Sequence, residues 1–171
     1  LTVLSLACLA VAALAPALAL RPSMPVWPAA SLSIAGLAGS ALAATATTPV
    51  QGVALAATLI LTATAAITGG GPAVLVAFRI ARRQPDAGPE PTPPPGPLRG
   101  GRVIGVLERG AVTASILAGW PEGIAVIMAV KGLARYPELR EPNASEQFII
   151  GTSTSVLWAV AVCGVGQALI T

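Results

Sequence analysis

GRVIGVLERGAVTASILAGWPEGIAVIMAVKGLARY, residues 101–136, decides how the chain is read. Two apolar arms meet at Trp120-Pro121, and Glu108, Arg109, Lys131 and Arg135 interrupt them away from that turn. A charge at the centre of a bilayer costs about 2.5–3.5 kcal/mol on insertion scales, so such residues need partners or a task. Counted from the turn, Glu108 lies about twelve residues back and Lys131 about ten forward, which at 1.5 Å per helical residue sets them within about 3 Å of one depth. A Glu108–Lys131 ion pair between antiparallel arms follows. Lys131 and Arg135 share a helical face at i, i+4 and would surround Glu108 with positive charge.

Outward from this hairpin the chain is mostly Ala, Leu, Val and Gly. Only 10% of its 171 residues are charged, against roughly 25% in a soluble domain. With 54% hydrophobic residues and a mean hydropathy of +0.79, the composition is that of a membrane protein. Small residues in place of aromatics suit helices that pack backbone to backbone in lipid. Lys131 is the sole lysine among ten basic residues, and this Arg-, Ala- and Gly-rich usage has the look of a GC-rich bacterial genome. A net charge of +3 is better explained by cytoplasmic loops than by nucleic acid, so no nucleic-acid partner is expected. There is no His, and the two cysteines, Cys8 and Cys163, lie in apolar runs, so neither a metal site nor a cofactor is expected. A disulfide between them is conceivable on paper, but small buried hydrophobes are the simpler role.

Six apolar spans can be marked. Residues 1–20 form an uncharged run of about bilayer length. Ala17-Leu18-Ala19 resembles a signal cleavage site, but the first basic residue, Arg21, follows the run, so a retained helix is expected. RPSMPVWP, residues 21–28, reads as a proline turn with Trp27 as an interfacial anchor. The second span, about 29–46, carries Gly36, Ser40 and Ala44 at intervals of four, a close-packing stripe. The third, 50–80, is interrupted by Gly69-Gly70-Gly71-Pro72. This is either a discontinuous helix lining a solute site or, as favoured here, a kinked span whose glycines admit a neighbour. Residues 84–100, QPDAGPEPTPPPGPLRG, form a proline-rich linker. It divides the chain into an N-terminal membrane half (1–83), a linker (84–101) and a C-terminal half (102–171). After the hairpin, Asn143 and Glu146 have capping-box spacing. The last span, about 148–170, bears Gly151, Ser155, Ala159 and Cys163 four apart.

The expected fold is therefore all-α, a polytopic helical membrane bundle of about six transmembrane helices in two three-helix halves. Six crossings place every basic residue on one side, and the positive-inside rule then sets both Leu1 and Thr171 outside a plasma (inner) membrane. The uncharged cores of the hairpin, 110–119 and 123–130, are short enough for a re-entrant segment. Two crossings are preferred because they leave Glu122 at an interface.

Three roles compete for the charged hairpin. Glu108 could carry a proton or cation with Lys131 beside it. Lys131, Arg135 and Arg102 could receive an anionic headgroup or solute. Or the charges form an internal ion pair with snorkelling arginines, a purely structural role. Glu122, Glu146, Thr152 and Ser155 are secondary candidates near the same helices. No enzyme is expected: without His the commonest general base is missing, and neither Ser153 nor Ser155 has an identifiable base. The favoured function is a non-catalytic accessory or interaction subunit that meets lipid and a membrane-protein partner or second copy through its small-residue faces. The alternative is a small carrier or channel using Glu108 and Lys131.

Gly101-Arg102-x-Ile104-Gly105-x-Leu107-Glu108-Arg109, Gly119-x-x-Glu122 and Ala129-x-Lys131-Gly132-x-x-Arg135-Tyr136 resemble an actinobacterial family of integral membrane proteins of unknown function. Glu146-x-Phe148-Ile149-Ile150-Gly151-Thr152 and Ser155 continue the likeness, which covers about 101–165. More loosely, this half resembles a phage- and plasmid-associated membrane family of unknown function. The resemblance implies a helical membrane fold and no chemistry.

Overall fold

The computed structural model describes residues 1–20, 25–83 and 101–171. The expectations for Arg21 and the start of the proline turn, and for the linker 84–100 with Arg99, lie outside the described residues. The described chain is all-helical. It comprises α1 (Thr2–Leu14), continued by a 3₁₀ segment (Ala15–Leu20), then α2 (Val26–Ala44), α3 (Gly52–Ala81), α4 (Gly101–Leu117), α5 (Gly123–Ala134) and α6 (Pro142–Ile170). Four segments are long and apolar enough to cross a membrane: Thr2–Ala19, Val26–Ala44, Gly52–Ala81 and Ala144–Ile170. The chain is a membrane-spanning helical bundle.

Two boundaries differ from the sequence reading. α2 begins at Val26, so Trp27 and Pro28 belong to its first turn rather than to a preceding loop. Pro is tolerated there because the first N–H groups of a helix have no partner to lose. Likewise α6 starts with Glu141 as its N-cap and Pro142 as its first residue, with no side-chain cap bond. Asn143 and Glu146 lie inside the helix, so the capping box does not form. Pro at the first helical position, with φ already set, wins over the Asn-x-x-Glu spacing.

Small residues bring α1 and α2 together. A Cβ on Gly36 would sit 2.6 Å from the Cys8 carbonyl oxygen and 2.8 Å from the Ala12 nitrogen, so the two backbones nearly touch. One interval on, Ser5 Oγ donates to the Ser40 carbonyl at 3.0 Å. This pairing in an apolar setting satisfies a hydroxyl that lipid could not. α3 and α6, from the two halves of the sequence, make the most extensive pairing in the bundle. Ala65 and Ala66 of α3 are fully buried, as are Ala159, Val162 and Cys163 of α6. Most of both small-residue stripes packs inside the chain: Gly36, Ser40 and Ala44 are buried, as are Ser155, Ala159 and Cys163, and Gly151 is half-buried against Phe78. Cys8 and Cys163 are both free thiols.

The hairpin turn has a specific geometry. Gly119 takes φ +71, the Trp120 amide donates to the Ser115 carbonyl at 2.9 Å, and the Gly119 amide donates to Ile116 at 3.0 Å. These are the two bonds of a Schellman ending, which needs a left-handed residue and so selects glycine. α5 then lies back along α4. With 12 residues it is about 18 Å long, short of the roughly 30 Å hydrocarbon core. Nonetheless the tip of the hairpin reaches the far end of the bundle, for Leu117 shares a groove with Leu55, Ile170 and Thr171.

Contacts also sort the ends. The guanidinium of Arg83 lies 5.9 Å from the Trp27 ring, joining the start of α2 to the end of α3. At the opposite end, the Val50 amide donates to the Leu169 carbonyl at 2.9 Å. Arg79, Arg82 and Arg83 therefore sit at one end, and the Thr171 end of α6 at the other.

Candidate functional site

The centre of the bundle is Arg109, which is only 6% exposed. A helical side chain leans toward its own N-terminus, so Arg109 folds back over Gly105 one turn earlier. A Cβ on Gly105 would meet Nη1 at 3.2 Å, and one on Gly70 of α3 would meet Nε at 2.8 Å. The two glycines form the slot that holds the guanidinium. From it Nε donates to the Ile67 carbonyl at 2.7 Å, and Nη1 to Ser155 Oγ at 3.3 Å. One side chain thus links α3, α4 and α6.

Pro72 lies within this stretch of α3 but does not free the Ile67 carbonyl, which accepts from Arg109 on a second lone pair. α3 runs unbroken from Gly52 to Ala81 with Pro72 inside it, so the discontinuous-helix alternative is set aside. Pro has no N–H, and its ring crowds the carbonyl four residues back, Thr68. Ile67 is the neighbouring residue, and its carbonyl is the one Arg109 meets. Two residues earlier, Trp158 Nε1 donates to the Ala65 carbonyl at 3.0 Å, its ring lying over Gly69. Gly69 and Gly70 admit two side chains, a Trp from α6 and an Arg from α4.

Glu108 and Lys131, set at similar depth by counting, meet directly: Lys131 Nζ lies 2.6 Å from Glu108 Oε2. Their side chains are 17% and 20% exposed, so the pair is sheltered without being sealed. Lys131 also stands 5.5 Å from the centroid of Phe148 on α6, a cation–π distance. Its ammonium therefore ties α5 to both α4 and α6.

Beside this pair is a cleft walled by Glu108, Arg109 and Val112 of α4, Met128 and Lys131 of α5, and Thr152 and Ser155 of α6. It encloses about 190 Å³ between atoms but has no room for a water-sized sphere. Thr152 Oγ1 is buried there without a hydrogen-bond partner. Of the sequence candidates, Glu108, Arg109, Lys131, Thr152 and Ser155 come together. Arg135 is half-buried at the C-cap of α5, where the helical face it was to share with Lys131 ends. Glu122 is exposed at the hairpin tip and Glu146 is exposed near the start of α6; neither lines the cleft.

Sequence reasoning missed Ile67, Gly70 and Trp158 as partners of this centre. A visible signal existed in the Gly-Gly-Gly-Pro interruption, but nothing local says which side chain it receives.

No protein-family model, curated protein or solved structure matches the chain. Fold and site define its class: a membrane-spanning helical bundle pinned at its centre by a buried arginine and an inter-arm ion pair.

Proposed function

We propose that the protein is a non-catalytic accessory or interaction subunit of a bacterial plasma (inner) membrane. The carrying observation is that its intramembrane ionisable groups are engaged with each other and with the backbone. Arg109 is held by Ile67 and Ser155, Glu108 by Lys131, and the cleft between them admits no water. Ser155 faces a guanidinium, which cannot act as a base. The likeness of residues 101–165 to actinobacterial membrane proteins of unknown function is in keeping with this reading.

In this proposal the hairpin crosses the membrane twice, and Leu1 and Thr171 face outward. The basic residues near the Trp27–Arg83 end support that orientation through the positive-inside rule. Most of both small-residue stripes packs within the chain, so the proposed partner also uses other surfaces. The outer face of α5, with Val126, Val130 and Leu133 exposed, is one such surface.

Glu108→Gln separates this role from that of a carrier. Loss of the carboxylate leaves Lys131 and Arg109 without their shared counter-charge, so assembly and melting temperature fall. A variant that assembles normally in vesicles yet loses an ion or solute flux seen with the parent would overturn the proposal in favour of a carrier.

A further inference from the structure

We infer that the cleft between α4, α5 and α6 is an oxyanion site, held closed in this bundle by the protein's own Glu108–Lys131 ion pair. Four side chains that carry donor groups line it: Arg109, Lys131, Thr152 and Ser155. Its lining carries two positive charges and one negative, a surplus of one positive charge in a sheltered place. Such a surplus favours an added anion, because charges taken out of water need compensation.

Thr152 supplies an independent sign. Its hydroxyl is buried in the cleft and bonds to nothing, although Ser and Thr hydroxyls in apolar helices ordinarily return to their own backbone. Thr58, Thr64 and Thr68 do so in α3; Thr62 and Thr113 share Thr152's lack of a partner among the described residues, but of the three only Thr152 lines this cleft. A ligand oxygen in the cleft would give Thr152 its partner.

α5 is the wall that yields. Its backbone approaches that of α4 alone among the helices, Gly123 is its only buried residue, and Ile124 and Ile127 pack partly buried on the core. Lys131 adds a polar tie, through Glu108 and the Phe148 ring. An incoming phosphate or carboxylate can take over the Lys131 contact while Glu108 swings out, and α5 moves with the ammonium. The ligand class is a small oxyanion, either free phosphate or the phosphate of a lipid headgroup.

The test is a melting series in non-ionic detergent on the parent, Glu108→Gln and Thr152→Val. Each is titrated with inorganic phosphate and, separately, with short-chain phosphatidylglycerol. In the parent a bound anion at several times its Kd raises the melting temperature by roughly 2–4 °C. The rise is larger in Glu108→Gln, which starts lower and has lost its internal competitor, and smaller in Thr152→Val. A response to phosphate identifies a free oxyanion as ligand, and a response to the lipid alone identifies a headgroup.

Equal shifts in all three proteins mean general salt stabilisation and overturn the proposal. So does the absence of any shift, or a shift in Glu108→Gln no larger than the parent's. Should Glu108→Gln fail to fold, the comparison of parent with Thr152→Val decides. Thr152→Val is close in shape and removes a hydroxyl that has no partner to lose, so a purely structural role predicts an unchanged response.

Discussion

Replacing Gly69, Gly70 and Gly71 by Ala, one at a time, separates packing from backbone flexibility in the middle of α3. At Gly69 the added methyl would lie 2.6 Å from Trp158 Cε2 and 2.8 Å from Nε1. Trp158 has little room to move, being 8% exposed and bonded through Nε1 to Ala65. Overpacking of this kind costs about 1–3 kcal/mol, and a weakened indole bond adds about 1 kcal/mol. The gain in helix propensity returns about 1 kcal/mol, leaving a net loss of about 1–3 kcal/mol.

At Gly70 the methyl meets Arg109 Nε at 2.8 Å and pushes the guanidinium off the Ile67 carbonyl. A hydrogen bond from a charged donor is worth about 1.5–3 kcal/mol, so the loss is of similar size. Gly71 has nothing within 4 Å of its methyl position, and Ala there should be neutral or stabilising by up to about 1 kcal/mol. Thermal unfolding in detergent reads the order. At about 2–4 °C per kcal/mol, Gly69→Ala and Gly70→Ala fall several degrees below the parent, and Gly71→Ala does not. Equal losses at all three positions would refute the packing account, since only a need for glycine's backbone freedom treats them alike.

Further outcomes follow from neighbouring contacts. Gly36→Ala should disrupt the α1–α2 pairing by about 1–3 kcal/mol, because the methyl meets backbone atoms of Cys8 and Ala12 that have no rotamer to change. Proteolysis or hydrogen exchange in α1 would show it, and unchanged protection would contradict it. Arg109→Met fills the slot between Gly70 and Gly105 without charge, whereas Arg109→Ala leaves it empty. The Ala variant should be the less stable by about 2–5 kcal/mol, as for other large-to-small changes in packed sites. Equal melting temperatures would show that the guanidinium's bonds outweigh its volume. A reporter fused after Thr171 should read as outside the cytoplasm, and a cytoplasmic signal would reverse the proposed orientation.

The features legible in sequence are those set by local chemistry or by counting along a helix. Helix existence is one, since long uncharged runs in lipid must satisfy their backbone internally. The Glu108–Lys131 pairing is another, because a hairpin with a marked turn fixes which residues share a depth. Boundaries at prolines were less legible. Pro28 and Pro142 read as breakers yet sit in first turns, where position within the helix changes what a missing N–H costs.

Arg109 shows the other limit. In sequence it is the neighbour of Glu108 and a charge to be explained by snorkelling. In the bundle it points inward to a carbonyl of α3, and Glu108 beside it turns toward α5 instead. Adjacent residues on a helix point about 100° apart, so two consecutive charges serve different neighbours. Only the packing of α3 and α6 against α4 says which.

By itself, then, the order of residues 101–136 determined a hairpin, its turn at Trp120-Pro121 and the similar depth of Glu108 and Lys131, because rise per residue and proline's effect on the backbone are local properties. Tertiary structure alone decided that Arg109 is the centre of the bundle, that Gly69 and Gly70 are its slot and Trp158's, and that most of both small-residue stripes is used internally. Those outcomes depend on which helix faces meet, and contact between residues more than 40 positions apart, such as Arg109 and Ile67, leaves no periodic trace in the chain.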